Sequence, residues 1–520
     1  MATATANTGA NNNADANNND GGAIALHALS SAAAREAVLP AAADIEGWLA
    51  EEAGARGAHA WWRAPFGAQC GASAAPSARA FVCRLGCAAR EPELEHSLAA
   101  TGAGTARYGA AALATLCNEQ KVSFLVWISA GVVRYKPCRG SPRSQDKFDV
   151  KRRKFVVVSR MLHVLSCSVA LPDVVFAFLM ADFPVSFGNT KSSDKNAGGG
   201  DASPAFEPRP AVVQFVASPT FEALLWPTPS FVSGLAHRRF DVKGAGAGPS
   251  TWLEPGGAYD PPGGLSALVP WKNKETRFFW RGSLTGGPYR TRSGLFRFLP
   301  RPGLVRAATA IRTRDTRDGK LSTMDAAYAE WAMKGKFRNP AEKAAFLAPG
   351  EGQRLAGGYS RSDLQKYKFL LHADGNSASW GLAQKLATGS AVVWARSQRG
   401  FREFYYARLR AYEHFIPVGA DWADLEPVRN WLAADEAGGH SDSTAAGEAT
   451  FGERVGTAAL DLVRARLRPQ DMWCYAFRLV ASLAARQEAG AATAEGLHAA
   501  GLDPASFLLV PDAAHARDRR

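Results

Sequence analysis

Cysteine is scarce, with 7 in 520 residues, which excludes a small scaffold held together by disulfides. Six of them, Cys70, Cys83, Cys87, Cys117, Cys138 and Cys167, fall in the first third. A bridge or two there fits the count without being required by it. Cys83 and Cys87 have no second Cys or His pair at zinc-finger spacing, which favours buried or paired cysteines over a metal site. Long hydrophobic runs are also missing: Phe155–Val158 and Val174–Met180 are strand-length, well short of the ~20 residues a membrane helix needs. The opening MATATANTGANNNADANNNDGG has neither a basic segment nor the apolar core of a secretory signal, and reads as a disordered polar tail over residues 1–22. There is no Asn-X-Ser/Thr sequon, which fits a cytosolic chain.

What is present is the composition of one or more ordinary soluble globular domains, 47% hydrophobic and 21% charged, which excludes a mainly disordered or fibrous chain. Basic residues number 61 against 48 acidic, so the net charge is 61 − 48 = +13, a balance that favours anionic partners. Residues 23–79 are alanine-rich and expected to be helical or irregular. From about residue 80 to 265, apolar runs at Val122–Ile128, Lys154–Val158, Met161–Leu171, Val174–Phe178 and Val212–Val216 alternate with polar connectors. That pattern predicts βαβ crossovers and a largely parallel sheet. Residues 188–210 read as an inserted loop, and 243–264 as the approach to a domain boundary.

A second alternating region spans 266–435. Its expected strands are Arg277–Trp280, Lys368–His372, Ala391–Trp394 and His414–Val418, and its expected helices 379–388 and 423–434. Val455–Ala485 reads as one long amphipathic helical stretch within a C-terminal segment, 451–490.

Three places carry chemistry. After the strand Lys368–His372 come Gly375, Asn376, Ser377 and Ser379, then a helical run. Amides and hydroxyls at a helix start suit an anion, although a serine there also serves as a simple cap. The strand Arg277–Trp280 ends on Arg281, Gly282 and Ser283, with Arg290 and Arg292 close behind. Guanidinium groups at the carboxyl end of a parallel strand match phosphate oxygens, or else are surface charge. The run Val174–Met180 delivers Asp182 ahead of Phe183 and Pro184, where it reads equally as a general base or a turn former.

Taken with LPDVVFAFLMADFP (171–184), LLWPTPSF (224–231), VPWKNKETRFFWRGSLTG (269–286), YKFLLHADGNSASWGLAQKLATGSAVVW (367–394), FREFYYARLRAYEHFIPVGADWADL (401–425) and DMWCYAFRLV (471–480), these motifs resemble glycosyltransferase family 90, the capsule-associated and Rumi-like protein O-glucosyltransferases. The resemblance covers about residues 120–490. It implies a GT-B fold, two Rossmann-like domains facing across a cleft with a C-terminal helix packing back, residues 80–265 being the acceptor domain and 266–435 the UDP-sugar domain. It also implies inverting transfer of glucose or xylose from a UDP-sugar to a hydroxyl of a protein or glycan, with no cofactor and no metal required. Asp182 would then be the catalytic base. Arg281, Gly282, Ser283, Arg290, Arg292, Gly375, Asn376, Ser377 and Ser379 would hold the UDP-sugar.

Some positions depart from the family pattern. Gly381 stands where a basic residue is usual, with Lys385 a turn further on, and Ala407, Ala411 and Tyr412 replace Pro, Pro and Trp, while His414 and Pro417 fit. Gly381 keeps a second reading open, a catalytically silent relative that binds carbohydrate or nucleotide. Nucleic-acid binding, suggested only by the charge and by Lys147–Lys154, is not expected, because a short charge run is usually a solvated face. The resemblance implies the secretory pathway, endoplasmic reticulum or Golgi, whereas the missing signal leaves the cytoplasm as the alternative.

Overall fold

The computed structural model describes residues 91–100, 107–119, 122–138, 158–159, 161–162, 165–166, 169–180, 212–219, 223–228, 268–285, 299–329, 340–348, 352–357, 359, 361–396, 399–438, 449–467 and 469–509. The expected tail and the segment 23–79 lie outside them, as do the loop 188–210, residues 243–264 and most of Lys154–Val158. Two six-stranded sheets organise what is described.

The first sheet has the order β12-β2-β1-β3-β4-β5, from β1 (Phe124–Ser129), β2 (Val132–Pro137), β3 (Val174–Phe178), β4 (Val212–Gln214), β5 (Leu224–Leu225) and β12 (Leu508–Leu509). It is mixed rather than largely parallel. β3, β4 and β5 run parallel, but β1 is antiparallel to both β2 and β3. The cause is local: Ala130 and Gly131 take φ of 49° and 74°, and a two-residue turn with both residues in the left-handed region reverses the chain into a hairpin. Asp173 Oδ1 accepts the Ala130 N–H at 2.8 Å, so this aspartate ahead of β3 clamps the turn.

β3, Val-Val-Phe-Ala-Phe, is buried throughout because both faces of the sheet are covered. Its backbone is gripped from the far end of the chain. The Gln487 side-chain amide exchanges two hydrogen bonds with Val175, at 2.6 and 3.0 Å. Two helices, α1 (Pro92–Ala100) and α2 (Ala110–Asn118), precede this sheet, and a disulfide joins Cys117 on α2 to Cys138 beyond β2. Cys474 is disulfide-bonded as well.

The second sheet is parallel throughout, in the order β11-β10-β9-β6-β7-β8. Its strands are β6 (Glu275–Gly282), β7 (Met324–Ala329), β8 (Leu355–Ala356), β9 (Tyr367–Ala373), β10 (Ala391–Ala395) and β11 (Ile416–Val418). Counted from β6, this is the doubly wound order 3-2-1-4-5-6, whose direction reverses between β6 and β9. The helices are α3 (Pro300–Arg317), α4 (Pro340–Phe346), α5 (Arg361–Leu364), α6 (Leu382–Leu386), α7 (Leu425–Glu436), α8 (Phe451–Arg466), α9 (Pro469–Ala485) and α10 (Ala494–Ala499). Helices cover both faces: Leu304, Val305, Ala308 and Ile311 of α3 and Leu425 and Leu432 of α7 pack one face, while Leu382, Ala383 and Leu386 of α6 pack the other.

The expected strands of this region are present, with His414 and Phe415 ahead of the last one. The helix expected over 379–388 is the short α6, followed by Gly389 at φ 67° before β10. Val455–Ala485 is two helices, broken at Leu467. The longest helix of the sheet, α3, and the strand β7 were not anticipated.

One hydrophobic cluster contains the first sheet, α6, α9 and the residues Val392 and Trp394 of β10, so the two sheets share a core. The carboxyl ends of β4 and β5 meet the segment after β10. Ala217 and Arg402 exchange backbone hydrogen bonds at 2.8 and 3.1 Å, and Thr228 Oγ1 donates to Glu403 at 3.1 Å. Glu93 of α1 accepts from Arg402 Nε at 3.1 Å and from the Ala407 N–H at 3.2 Å, strapping this segment down.

Candidate functional site

In a doubly wound sheet the crevice at the switch point, outside the strand carboxyl ends, is where ligands bind. Here that point lies between the loop after β6, which starts at Ser283, and the loop after β9, which runs from Asp374 to Ser379. One side chain ties them together. From the first turn of α3, Arg301 Nη1 donates to Ser283 Oγ and Ser283 O, both at 3.0 Å, and to Thr285 Oγ1, while Nη2 donates to Ser379 Oγ at 3.1 Å. Gly375 permits this approach, since a Cβ there would sit 2.8 Å from Thr285 Oγ1 and 3.0 Å from Arg301 Nη2.

The loop is itself ordered by hydrogen bonds. The Gly375 N–H donates to Ser377 O at 2.9 Å and the Ser379 N–H to Asp374 Oδ1 at 3.3 Å. Ser377 is buried, Ser379 half-buried and Asn376 exposed.

The site is cationic beyond the needs of stability. A first-turn arginine faces the positive end of the helix dipole, a placement that costs roughly 0.3–1 kcal/mol unless an anion is nearby. Behind the loop, Lys385 of α6 is enclosed, donating to Leu371 O at 2.6 Å with His372 Nδ1 at 3.3 Å. Burial, reinforced by Arg301, lowers the Lys385 pKa to about 7. His372 is held well below the usual histidine range by burial, with Lys385 and Arg301 adding to the effect, and is neutral. A cluster of this polarity, hydroxyls gathered around a guanidinium at a helix start, has the chemistry to bind a phosphorylated ligand and stabilise a leaving anion.

The sequence-predicted residues are divided by the structure. Ser283, Gly375 and Ser379 meet around Arg301, with Ser377 in the same loop. Arg281 is directed elsewhere: β6 alternates its side chains, so Arg281 shares a face with Phe279 and forms a two-pronged ion pair with Asp325 of β7, both contacts 2.9 Å. Asp325 also takes Arg354 at 2.6 Å, and these arginines hold its carboxyl below the usual range against the opposing effect of burial. Gly282 fits beneath Trp280, whose ring a Cβ would approach to 2.5 Å.

Asp182, Arg290 and Arg292 lie outside the described residues, two positions beyond Met180 in the first case. At Gly381 a Cβ would meet nothing within 4 Å, so the position of the missing basic residue is open space. Among the described residues, no three His, Cys, Asp or Glu side chains gather as a metal site would need.

Sequence reading missed Arg301 and Thr285. The available signal was the pattern Leu299-Pro300-Arg301-Pro302. A proline at the first helical position marks a helix start, and an arginine just inside it has no reason to be there in terms of helix stability.

Over part of its length, including this switch point, the chain is similar to known glycosyltransferases. Residues 263–499 match the family model of Glycosyl transferase family 90, so the resemblance read from the motifs holds over that segment. The motifs at 171–184 and 224–231 precede it. Protein O-glucosyltransferase 1 of Homo sapiens is 23% identical over 40% of this chain and 42% of its own length. Protein O-glucosyltransferase 3 of Rattus norvegicus is 25% identical over 24% of this chain and 22% of its own. Uncharacterized protein 035R of Invertebrate iridescent virus 3 is 23% identical over 32% of this chain and 14% of its own. The chain thus spans less than half the length of each of these relatives. No helix among the described residues is long and apolar enough to cross a membrane.

Proposed function

We propose that the protein is an inverting glycosyltransferase that moves glucose, or xylose, from a UDP-sugar to a hydroxyl of a protein or glycan. The observation that carries this reading is Arg301, which gathers Ser283, Thr285 and Ser379 at the switch point of the second sheet. The arrangement proposed is GT-B, with 80–265 as the acceptor domain and 266–435 as the donor domain. Asp182 takes the proton of the acceptor hydroxyl, whose oxygen attacks the anomeric carbon while the bond from that carbon to the diphosphate oxygen breaks. UDP leaves with the electron pair. Arg301, the amides of the α3 first turn and the loop 375–379 stabilise it, Arg290 and Arg292 are the further cations proposed for the diphosphate, and no metal is required.

A secretory-pathway location is part of the proposal, supported by the Cys117–Cys138 bridge, since disulfides persist in oxidising compartments. The second reading, a silent relative that binds nucleotide or carbohydrate, is favoured by two observations: Arg281 is committed to Asp325, and Gly381 opens space where the family has a base.

A thermal-shift titration with UDP, with and without EDTA and against ADP and a short RNA, tests the donor site, because a ligand specific to the native state raises the melting point. Stabilisation by UDP that survives EDTA is the expected result; no response to UDP overturns the reading. Turnover of UDP-glucose or UDP-xylose then separates enzyme from silent relative. Asp182→Asn is expected to bind UDP as the parent does and to transfer no sugar.

A further inference from the structure

Trp422 lies on the turn between β11 and α7, outside the carboxyl end of the sheet. It is a bulky residue at φ 65°, in the left-handed region, and it is 2% exposed. Non-glycine residues persist there only where their surroundings fix them, and such strain gathers at functional sites. The turn is fixed in this way. The Gly419 N–H donates to both carboxylate oxygens of Asp424 at 2.8 and 3.0 Å, the Trp422 N–H to Gly419 O at 2.9 Å, and the Ala423 N–H to Asp421 Oδ1 at 3.1 Å. What this backbone achieves is the aim of the indole: Nε1 donates to Pro300 O at 2.8 Å.

Pro300 opens α3, and the next residue is Arg301. Its guanidinium is held by oxygen atoms of two loops, but its backbone is held by the first turn of the helix. That turn has no side-chain cap, since Leu299 occupies the cap position. Two side chains hold its carbonyls instead: the Trp422 indole donates to Pro300 O, next to Arg301, and Gln353 Nε2 donates to Pro302 O at a longer 3.3 Å.

We propose that Trp422 is a positioning residue of the candidate donor site, holding the first turn of α3 at Pro300 so that Arg301 reaches Ser283, Thr285 and Ser379 together. This rests on the donor-site reading only for the identity of the ligand. The mechanical link, from indole to helix start to guanidinium to the loop 375–379, stands on the contacts themselves.

The test uses Trp422→Phe, which keeps an aromatic ring and removes the donor, and Trp422→Asn, which accepts a left-handed backbone more readily and is too short to reach Pro300. Hydrogen exchange is followed in the full chain, with UDP affinity measured in parallel for each variant, for Arg301→Ala and for the Trp422→Phe, Arg301→Ala double variant. Expected is faster exchange at residues 375–379, away from the Trp422 hydrogen bond to Pro300. UDP affinity should fall about tenfold in Trp422→Phe, with the double variant no weaker than Arg301→Ala alone. Exchange confined to 299–304 and 419–425, or effects on affinity that multiply, would overturn the proposal by showing a purely local role. If no variant and not even the parent binds UDP while exchange still spreads to 375–379, the donor reading fails and the positioning role stands.

Discussion

At the scale of single residues, two buried ionisable groups have pKa values shifted in opposite directions, one bearing on ligand binding and the other on stability. Lys385 has its pKa lowered to about 7 by burial and by Arg301, so it is charged below that pH and neutral above it. An anion in the loop it backs favours the charged form. UDP affinity is therefore expected to fall as pH rises through 7, and Lys385→Met to flatten the profile; calorimetric titration between pH 6 and 8.5 reads both.

Glu403 behaves differently, because its carboxyl is wholly buried and raised to about 8, burial dominating over the hydrogen bond from Thr228. The unfolded chain ionises near 4.5 while the folded chain does not. The stability this carboxyl contributes is thus complete below about 4.5 and lost between there and about 8, at up to about 1.4 kcal/mol per pH unit. Glu403→Gln should melt close to the parent at pH 4.5 and increasingly above it towards pH 8.

At the scale of elements, the site depends on how closely a loop approaches a helix start. Arg301 reaches Ser379 only because Gly375 has no side chain. Gly375→Ala is expected to displace Thr285 or Arg301 and weaken UDP binding about 10-fold or more, with a smaller effect on the melting point, since the contacts it disturbs are the polar ones around Arg301. Equal losses in affinity and stability would instead mark Gly375 as a folding residue. The same scale explains the first sheet. The turn at Ala130 and Gly131 fixes β1 and β2 as a hairpin, and Asp173 fastens that turn to the strand that leads towards Asp182.

At the scale of the whole molecule, segments distant in sequence bind the sheets alongside their neighbouring strands. The segment around Gln487 binds β3, β12 adds to the edge of the first sheet, and α1 straps the segment after β10. The Cys117–Cys138 bridge closes a separation of 21 residues, worth about 3 kcal/mol in the chain-entropy account. Cys117→Ser with Cys138→Ser is expected to lower the melting point by several degrees without altering UDP affinity at temperatures where the chain stays folded.

The sequence by itself determined four strands of the second sheet, β6, β9, β10 and β11, because continuous apolar runs between polar connectors are what a sheet covered on both faces requires. It also determined the stretch Gly375 to Ser379 as a strand-to-helix turn, and the family resemblance through its motifs. Only the tertiary structure decided which cation serves that loop. Arg281 and Arg301 are equally basic in the sequence, but strand alternation sends Arg281 to Asp325, and the helix start presents Arg301 to Ser283 and Ser379. It likewise decided that the first sheet is mixed and that Trp422 meets Pro300 across 122 positions of sequence. Side-chain direction and long-range approach follow from how elements pack, and no local pattern of residues encodes them.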